Sequence, residues 1–131
     1  MSILTIEDAL RAYAAMMNTG DLGMLEPLLA EDFCYASQWV FAEIGSKPEY
    51  CEYITLKLAA VKASGEHVWA EMGHLDREFP GPCVVLAQGE RDNLVALVLA
   101  KVEDGQIKRI DMCGAPSPYS AKRTGDYPTV P

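Results

Sequence analysis

Hydrophobic positions recur along this chain at two spacings, and the alternation between them lays out the expected elements. Leu94 to Val102 is a run of Val, Leu and Ala with little polar interruption, the pattern of a strand buried on both faces. It should lie centrally in its sheet. Glu103-Asp104-Gly105-Gln106 follows, a turn in which glycine takes positive φ at no steric cost, and Ile107 to Cys113 completes a hairpin. In that second strand Lys108, Ile110 and Met112 share one face, with Ile107, Arg109, Asp111 and Cys113 on the other. Both faces mix apolar and charged residues, so polarity alone does not orient it.

Earlier in the chain, Leu10, Tyr13, Ala14 and Met17 recur at helical spacing behind Thr5-Ile6-Glu7-Asp8, an N-cap with acids in the first turn. Asn18-Thr19-Gly20 ends this helix, and Asp21 is placed to cap a short second one carrying Leu22, Leu25, Leu28 and Leu29. Asp32 to Phe41 alternates as a strand does, with Phe33, Tyr35, Ser37 and Trp39 on one side. Ser46-Lys47-Pro48-Glu49 opens a third and longest helix, with Tyr50, Ile54, Leu58 and Val61 on one face and an end near Ser64-Gly65. Val68 to Asp76 is a second alternating stretch, with Val68, Ala70, Met72 and His74 on one face. Phe79-Pro80-Gly81-Pro82 is a turn and Cys83 to Gln88 a short apolar strand.

Composition narrows the class. At 131 residues, half of them hydrophobic, the chain is one globular domain, expected over 1–113, with 114–131 a Pro-, Ser- and Gly-rich irregular tail, either disordered or draped over a surface. Nineteen acidic residues against eleven basic ones give a net charge of −8, which argues against nucleic acid or anionic membrane as partner. The N-terminus lacks a basic segment and sustained apolar core, so a cytoplasmic location is expected. Cys34, Cys51, Cys83 and Cys113 match no zinc spacing and read as reduced thiols; with only two histidines, neither metal nor cofactor is expected.

The order of elements, together with Met17-Asn18-Thr19-Gly20-Asp21, Leu28 to Phe33, Gly45 to Glu49 and the Asp104-Gly105 hairpin, resembles the nuclear transport factor 2-like superfamily over about residues 5–113. Ser37-Gln38-Trp39-Val40 and Ile110-Asp111-Met112-Cys113 are similar to an uncharacterised bacterial branch of it. The resemblance implies an α+β, cystatin-like cone in which a curved, mostly antiparallel sheet wraps N-terminal helices, as in ketosteroid isomerases and polyketide cyclases. It implies a cavity for a small, mostly apolar molecule and a homodimer through the convex sheet face. Against the ketosteroid isomerases, the phenol that polarises a carbonyl matches Tyr13, while the base and the protonated acid fall at Ser37 and Leu97. The scytalone dehydratase branch uses a strand histidine, for which His74 is the candidate.

Tyr13, His74 and Asp111 are accordingly the candidate catalytic residues, and Tyr35, Ser37, Trp39, Leu97 and Met112 the candidate ligand contacts. His74 can equally be a rim histidine bonded to Asp76. Asp111 can equally pair with Arg109 two residues away, on the convex face if Ile110 and Met112 turn inward. Three functional classes stand: a cofactor-independent lyase, isomerase or hydrolase; a non-catalytic binding protein; and a dimeric interaction module.

Overall fold

The central hairpin forms as its pattern predicts. The computed structural model describes residues 3–76 and 80–130, the side chains of 40–42 excepted. Strands β5 (Leu94–Glu103) and β6 (Gln106–Cys113) pair antiparallel from Glu103↔Gln106 to Leu97↔Cys113. Asp104 and Gly105 join them with φ of 54° and 74°, the double positive φ whose twist matches that of the flanking strands. Around them lie β1 (Leu29–Ser37), β2 (Val40–Ile44), β3 (Val68–Leu75), β4 (Gly81–Gln88) and β7 (Lys122–Arg123), in the order β2-β1-β6-β5-β4-β3-β7. All pairs are antiparallel except β1 with β6, and β5 is the middle strand.

Two helices cover the concave face. Helix α1 (Ile6–Thr19) starts at a reciprocal Thr5–Asp8 capping box and ends at left-handed Gly20; α2 (Lys47–Ser64) starts where the Ser46 hydroxyl accepts the Glu49 N–H. Ala9, Leu10, Tyr13, Met16 and Met17 of α1 and Tyr50 and Ile54 of α2 pack on Phe33, Tyr35, Ala70, Met72, Val84, Leu86, Ala96, Val98, Ile110 and Met112. Leu75, Cys83, Val85, Leu97 and Cys113 form a second, smaller cluster on the opposite face. The α+β architecture, with a curved sheet around the helices, is therefore the one the sequence predicts.

Two elements differ from expectation. The second helix is two single-turn 3-10 segments, Leu22–Met24 and Glu26–Leu28, because Pro27 has no N–H to continue a helix and its ring clashes with the preceding turn. Asp21 still caps the first, accepting the Gly23 N–H at 2.9 Å. The strand expected over Asp32 to Phe41 turns back at Gln38-Trp39, giving β1 and β2. Polar side chains hold that turn: Gln38 Oε1 accepts the N–H groups of Gly114 and Ala115 at 2.7 and 2.9 Å, and Ser37 Oγ accepts the Trp39 N–H. The alternation expected at Val40 and Phe41, and the turn at Phe79, lie outside the described side chains and residues.

The C-terminal segment is also more ordered than its composition suggests. Pro118–Ser120 form a 3-10 turn, and β7 pairs antiparallel with β3 through Gly73↔Arg123 and His74↔Lys122. A side chain at Gly73 would meet Val85 at 3.0 Å and the Lys122 carbonyl at 3.2 Å, so glycine there lets β7 approach. The anchor is Glu71, 3% exposed, whose carboxylate accepts from Arg123 Nε at 2.7 Å, the Gly125 N–H at 2.7 Å and the Tyr127 hydroxyl at 3.2 Å. Asn18 ties the same segment to α1 and β3, donating to the carbonyls of Ala70 and Pro128 and accepting the Ala70 N–H.

A buried carboxylate that loses its charge partner is costly. Arg123→Met should lower the stability measured by urea unfolding by about 3 kcal/mol, the lower end of the range for broken buried pairs, since the Arg123 side chain itself is 30% exposed. Lys122→Met, which removes only the exposed ion pair with Asp76, should leave the urea midpoint unchanged.

Candidate ligand cavity in the cone

Alternation along β5 and β6 decides what the cone contains. Ala96, Val98, Ala100, Ile110 and Met112 face the helices, whereas Leu97 and Cys113 belong to the opposite cluster. At the wide end, where small Ala96 leaves space, a cavity of about 300 Å³ opens between α1, α2 and strands β3 to β6. Met17, Val61, Val68, Leu86 and Met112 supply apolar wall, Trp39 stands at the edge, and Lys57 is the cationic group in the lining. Two larger hollows lie elsewhere: about 550 Å³ between the C-terminal ends of α1 and α2, and about 630 Å³ beside Arg109 and Asp111. The smallest is the one lined by both helices together with strands β3 to β6, and it is open on the side where the exposed Trp39, Gln88 and Val95 line it.

Phenols pack deeper in the cone. The Tyr50 ring meets Phe33 edge-on with centroids 4.9 Å apart, and Tyr35 lies 5.3 Å from Tyr50 and 5.5 Å from Tyr53. The Tyr50 hydroxyl is buried and has no hydrogen-bond partner among the described residues. Two of these rings reach the cavity wall through its residues: the Tyr35 hydroxyl lies 3.8 Å from Met112 Sδ, and Lys57 Nζ lies 3.5 Å from the Tyr53 hydroxyl. Burial is the main cause that raises the Tyr13, Tyr35 and Tyr50 phenols well above their ordinary value, and neighbouring phenols add to it. They remain neutral groups able to donate a proton or a hydrogen bond.

The structure brings some candidate residues together and separates others. Tyr13 and Tyr35 are in the phenol cluster, Met112 is in the cavity wall, and Ser37 is half-buried at the end of β1 next to Tyr35. Trp39 lines the cavity from the β1–β2 turn and is 58% exposed, a rim residue where a strand residue was expected. Leu97 is turned away from the cone, because the period-two alternation gives Ala96 and Val98 the concave face. His74 shares the concave face of β3 but lies beyond the packed core: its side chain is 54% exposed, with Nε2 3.7 Å from Asp76, which also takes Lys122 at 2.7 Å.

Asp111 lies on the convex side and is not in the cone. Both its carboxylate oxygens accept from Arg109 Nε, at 3.1 and 3.0 Å, and Arg109 also reaches Glu43 at 2.9 Å and Cys34 Sγ at 3.4 Å. Hydrogen bonds to Glu43 and Asp111 push the Arg109 guanidinium above its usual range. Tyr13, His74 and Asp111 thus occupy the interior, the rim and the outer face, and do not converge on one substrate. Lys57 was not among the residues expected. Its signal is the spacing Tyr50, Tyr53, Lys57, Val61, one side of α2, on which a lone lysine among apolar residues passes for a solvent-facing one.

Compared by sequence, the chain matches no protein-family model and no curated protein. Compared by structure, it is similar to a nuclear transport factor 2-like protein of unknown function from Cytophaga hutchinsonii, at 15% identity and TM-score 0.59, covering 91% of this chain and 96% of that one. The chain has the nuclear transport factor 2-like fold. A candidate polyketide cyclase from Sinorhizobium meliloti matches at 17% identity and TM-score 0.57 over 81% of this chain and 94% of that one. A candidate ketosteroid isomerase from Kribbella flavida matches at 16% identity and TM-score 0.54 over 92% and 78%. At these identities the likeness establishes the fold and no particular chemistry. No described helix is long and apolar enough to cross a membrane, and no group of His, Cys, Asp and Glu among the described residues is arranged to hold a metal ion.

The buried phenols set an alkaline limit. Their folded values lie above the unfolded value of 10.0, so the stability they contribute is intact below about pH 10. It then falls by about 1.4 kcal/mol per pH unit for each phenol. Tyr13→Phe should make unfolding less steep above pH 10 in pH-resolved thermal melts. Phenolate absorbance from the buried tyrosines should appear together with loss of structure, not before it.

Proposed function

We propose that the cone binds a small, mostly apolar molecule. The observation that carries this reading is the cavity of about 300 Å³ with mainly aliphatic walls and neutral phenols packed behind them. A pocket of this size and lining takes a compact ligand by apolar burial, with one or two polar contacts to orient it. The structural likeness to a candidate polyketide cyclase from Sinorhizobium meliloti and a candidate ketosteroid isomerase from Kribbella flavida supports the same reading.

Catalysis without a cofactor, as a lyase, isomerase or hydrolase, is a second reading, favoured by one contact. The Lys57 ammonium, 3.5 Å from the Tyr53 hydroxyl, forms a cation–phenol pair that could polarise a carbonyl at the cavity wall. His74 and Asp111 have no part in it, since neither faces the cavity. A homodimer belongs to this account as well. The C-terminal segment occupies the convex side near β3 and β5, so the face left for a partner is the strip of β5, β6 and β1 around Arg109.

Filling the cavity mouth tests the reading. A neutral fluorophore such as N-phenylnaphthylamine should bind the wild-type protein with enhanced emission. Val61→Trp, a change on the half-buried helix wall, should weaken that binding at least tenfold without altering the urea midpoint. Equal binding by both proteins would place the fluorophore elsewhere and sink the proposal. Sedimentation at micromolar concentration should give a dimer, and Arg109→Glu a shift to monomer.

A further inference from the structure

We infer that the cavity selects a ligand carrying a single carboxylate, with Lys57 as its counter-ion. This rests on the reading of the cone as a binding cavity and goes on to name the chemical class of its occupant.

Charge in the cavity lining runs against the overall balance of the chain. The chain carries net charge −8, yet the cationic side chain in the cavity lining is a lysine on the inner side of α2. Among the described residues no carboxylate pairs with Lys57; its contacts are the Tyr53 hydroxyl at 3.5 Å and the face of the Tyr53 ring, 5.8 Å from Nζ to centroid. A phenol oxygen accepts one of three ammonium donors and a ring face attracts a cation weakly. Donors therefore remain for a ligand. The neighbouring polar residue of the wall, Gln88, gives its side-chain amide to Glu66.

Everything else in the lining is aliphatic, thioether or indole. One charge at the edge of an apolar cavity suits an amphipathic anion whose hydrocarbon body lies against Met17, Leu86 and Met112, with its carboxylate at Lys57. A polyanion such as a nucleotide is disfavoured, because a single lysine leaves further charges unpaired against an acidic protein. An ammonium-to-carboxylate hydrogen bond is charge-assisted at both ends and so stronger than one to a neutral amide.

A matched ligand pair tests this directly: naphthoate and its neutral analogue naphthamide, titrated calorimetrically into wild-type protein, Lys57→Met and Lys57→Arg. Wild type should prefer naphthoate by about tenfold or more. Lys57→Met should lose that preference while keeping its affinity for naphthamide, and Lys57→Arg should restore it, a rescue that a merely packing role would not give. If wild type binds both compounds equally, or Lys57→Met keeps the preference, the carboxylate inference is overturned while the binding cavity stands. If neither compound binds and the neutral fluorophore also fails, both readings fall. Urea midpoints of the three proteins should agree, and a large loss in Lys57→Met would assign Lys57 to stability instead.

Discussion

The register of the β5–β6 hairpin is the constraint on which the rest of this structure depends. Two residues with positive φ, Asp104 and Gly105, bring Glu103 opposite Gln106, and the period of two then fixes every side chain along both strands. Ala96, Val98, Ile110 and Met112 turn toward the helices, and Arg109 and Asp111 turn away. A slip of one residue would bring the ion pair into the cone and expel Met112. The cavity exists because this register gives alanine at position 96 a place on the concave face and methionine at 112 a place in the wall.

Charge follows the same division. Outside, carboxylates are held by specific partners: Glu71 by Arg123, Gly125 and Tyr127, and Asp111 and Glu43 by Arg109. Inside, polar groups are phenols that burial keeps neutral, with a lysine at the open end. Such a distribution leaves the cone interior, among the described residues, without anionic groups of its own. It also couples the C-terminal segment to the cone, because Glu71 is next to Ala70 and Met72, residues of the inner cluster, and Asn18 bonds to Ala70 and Pro128 together.

Much of the architecture was legible in the sequence because it is written in local terms. Capping residues at Thr5, Ser46 and Gly65 act over a few positions, as does the Asp-Gly turn, and the superfamily resemblance supplied their order. The β1–β2 hairpin was not legible, since its turn is held by Gln38 reaching Gly114 and Ala115, residues distant in the chain. The order of the C-terminal segment was hidden for the same reason: Arg123 and Tyr127 find a buried partner only once β3 has formed. The candidate site was half legible. Tyr13, Tyr35 and Met112 follow from periodicity, whereas Leu97 faces the wrong side, His74 lies past the core at the rim, and Lys57 looks like any surface lysine until α2 is packed.

The measurement that tests the account most directly is methyl NMR of the methionines during titration with N-phenylnaphthylamine. Met17 and Met112 line the cavity, while Met24 is exposed on a 3-10 turn away from it. The account predicts that the Met17 and Met112 methyl resonances shift together and saturably while Met24 stays fixed. Saturable binding that leaves both cavity methyls unmoved would contradict it.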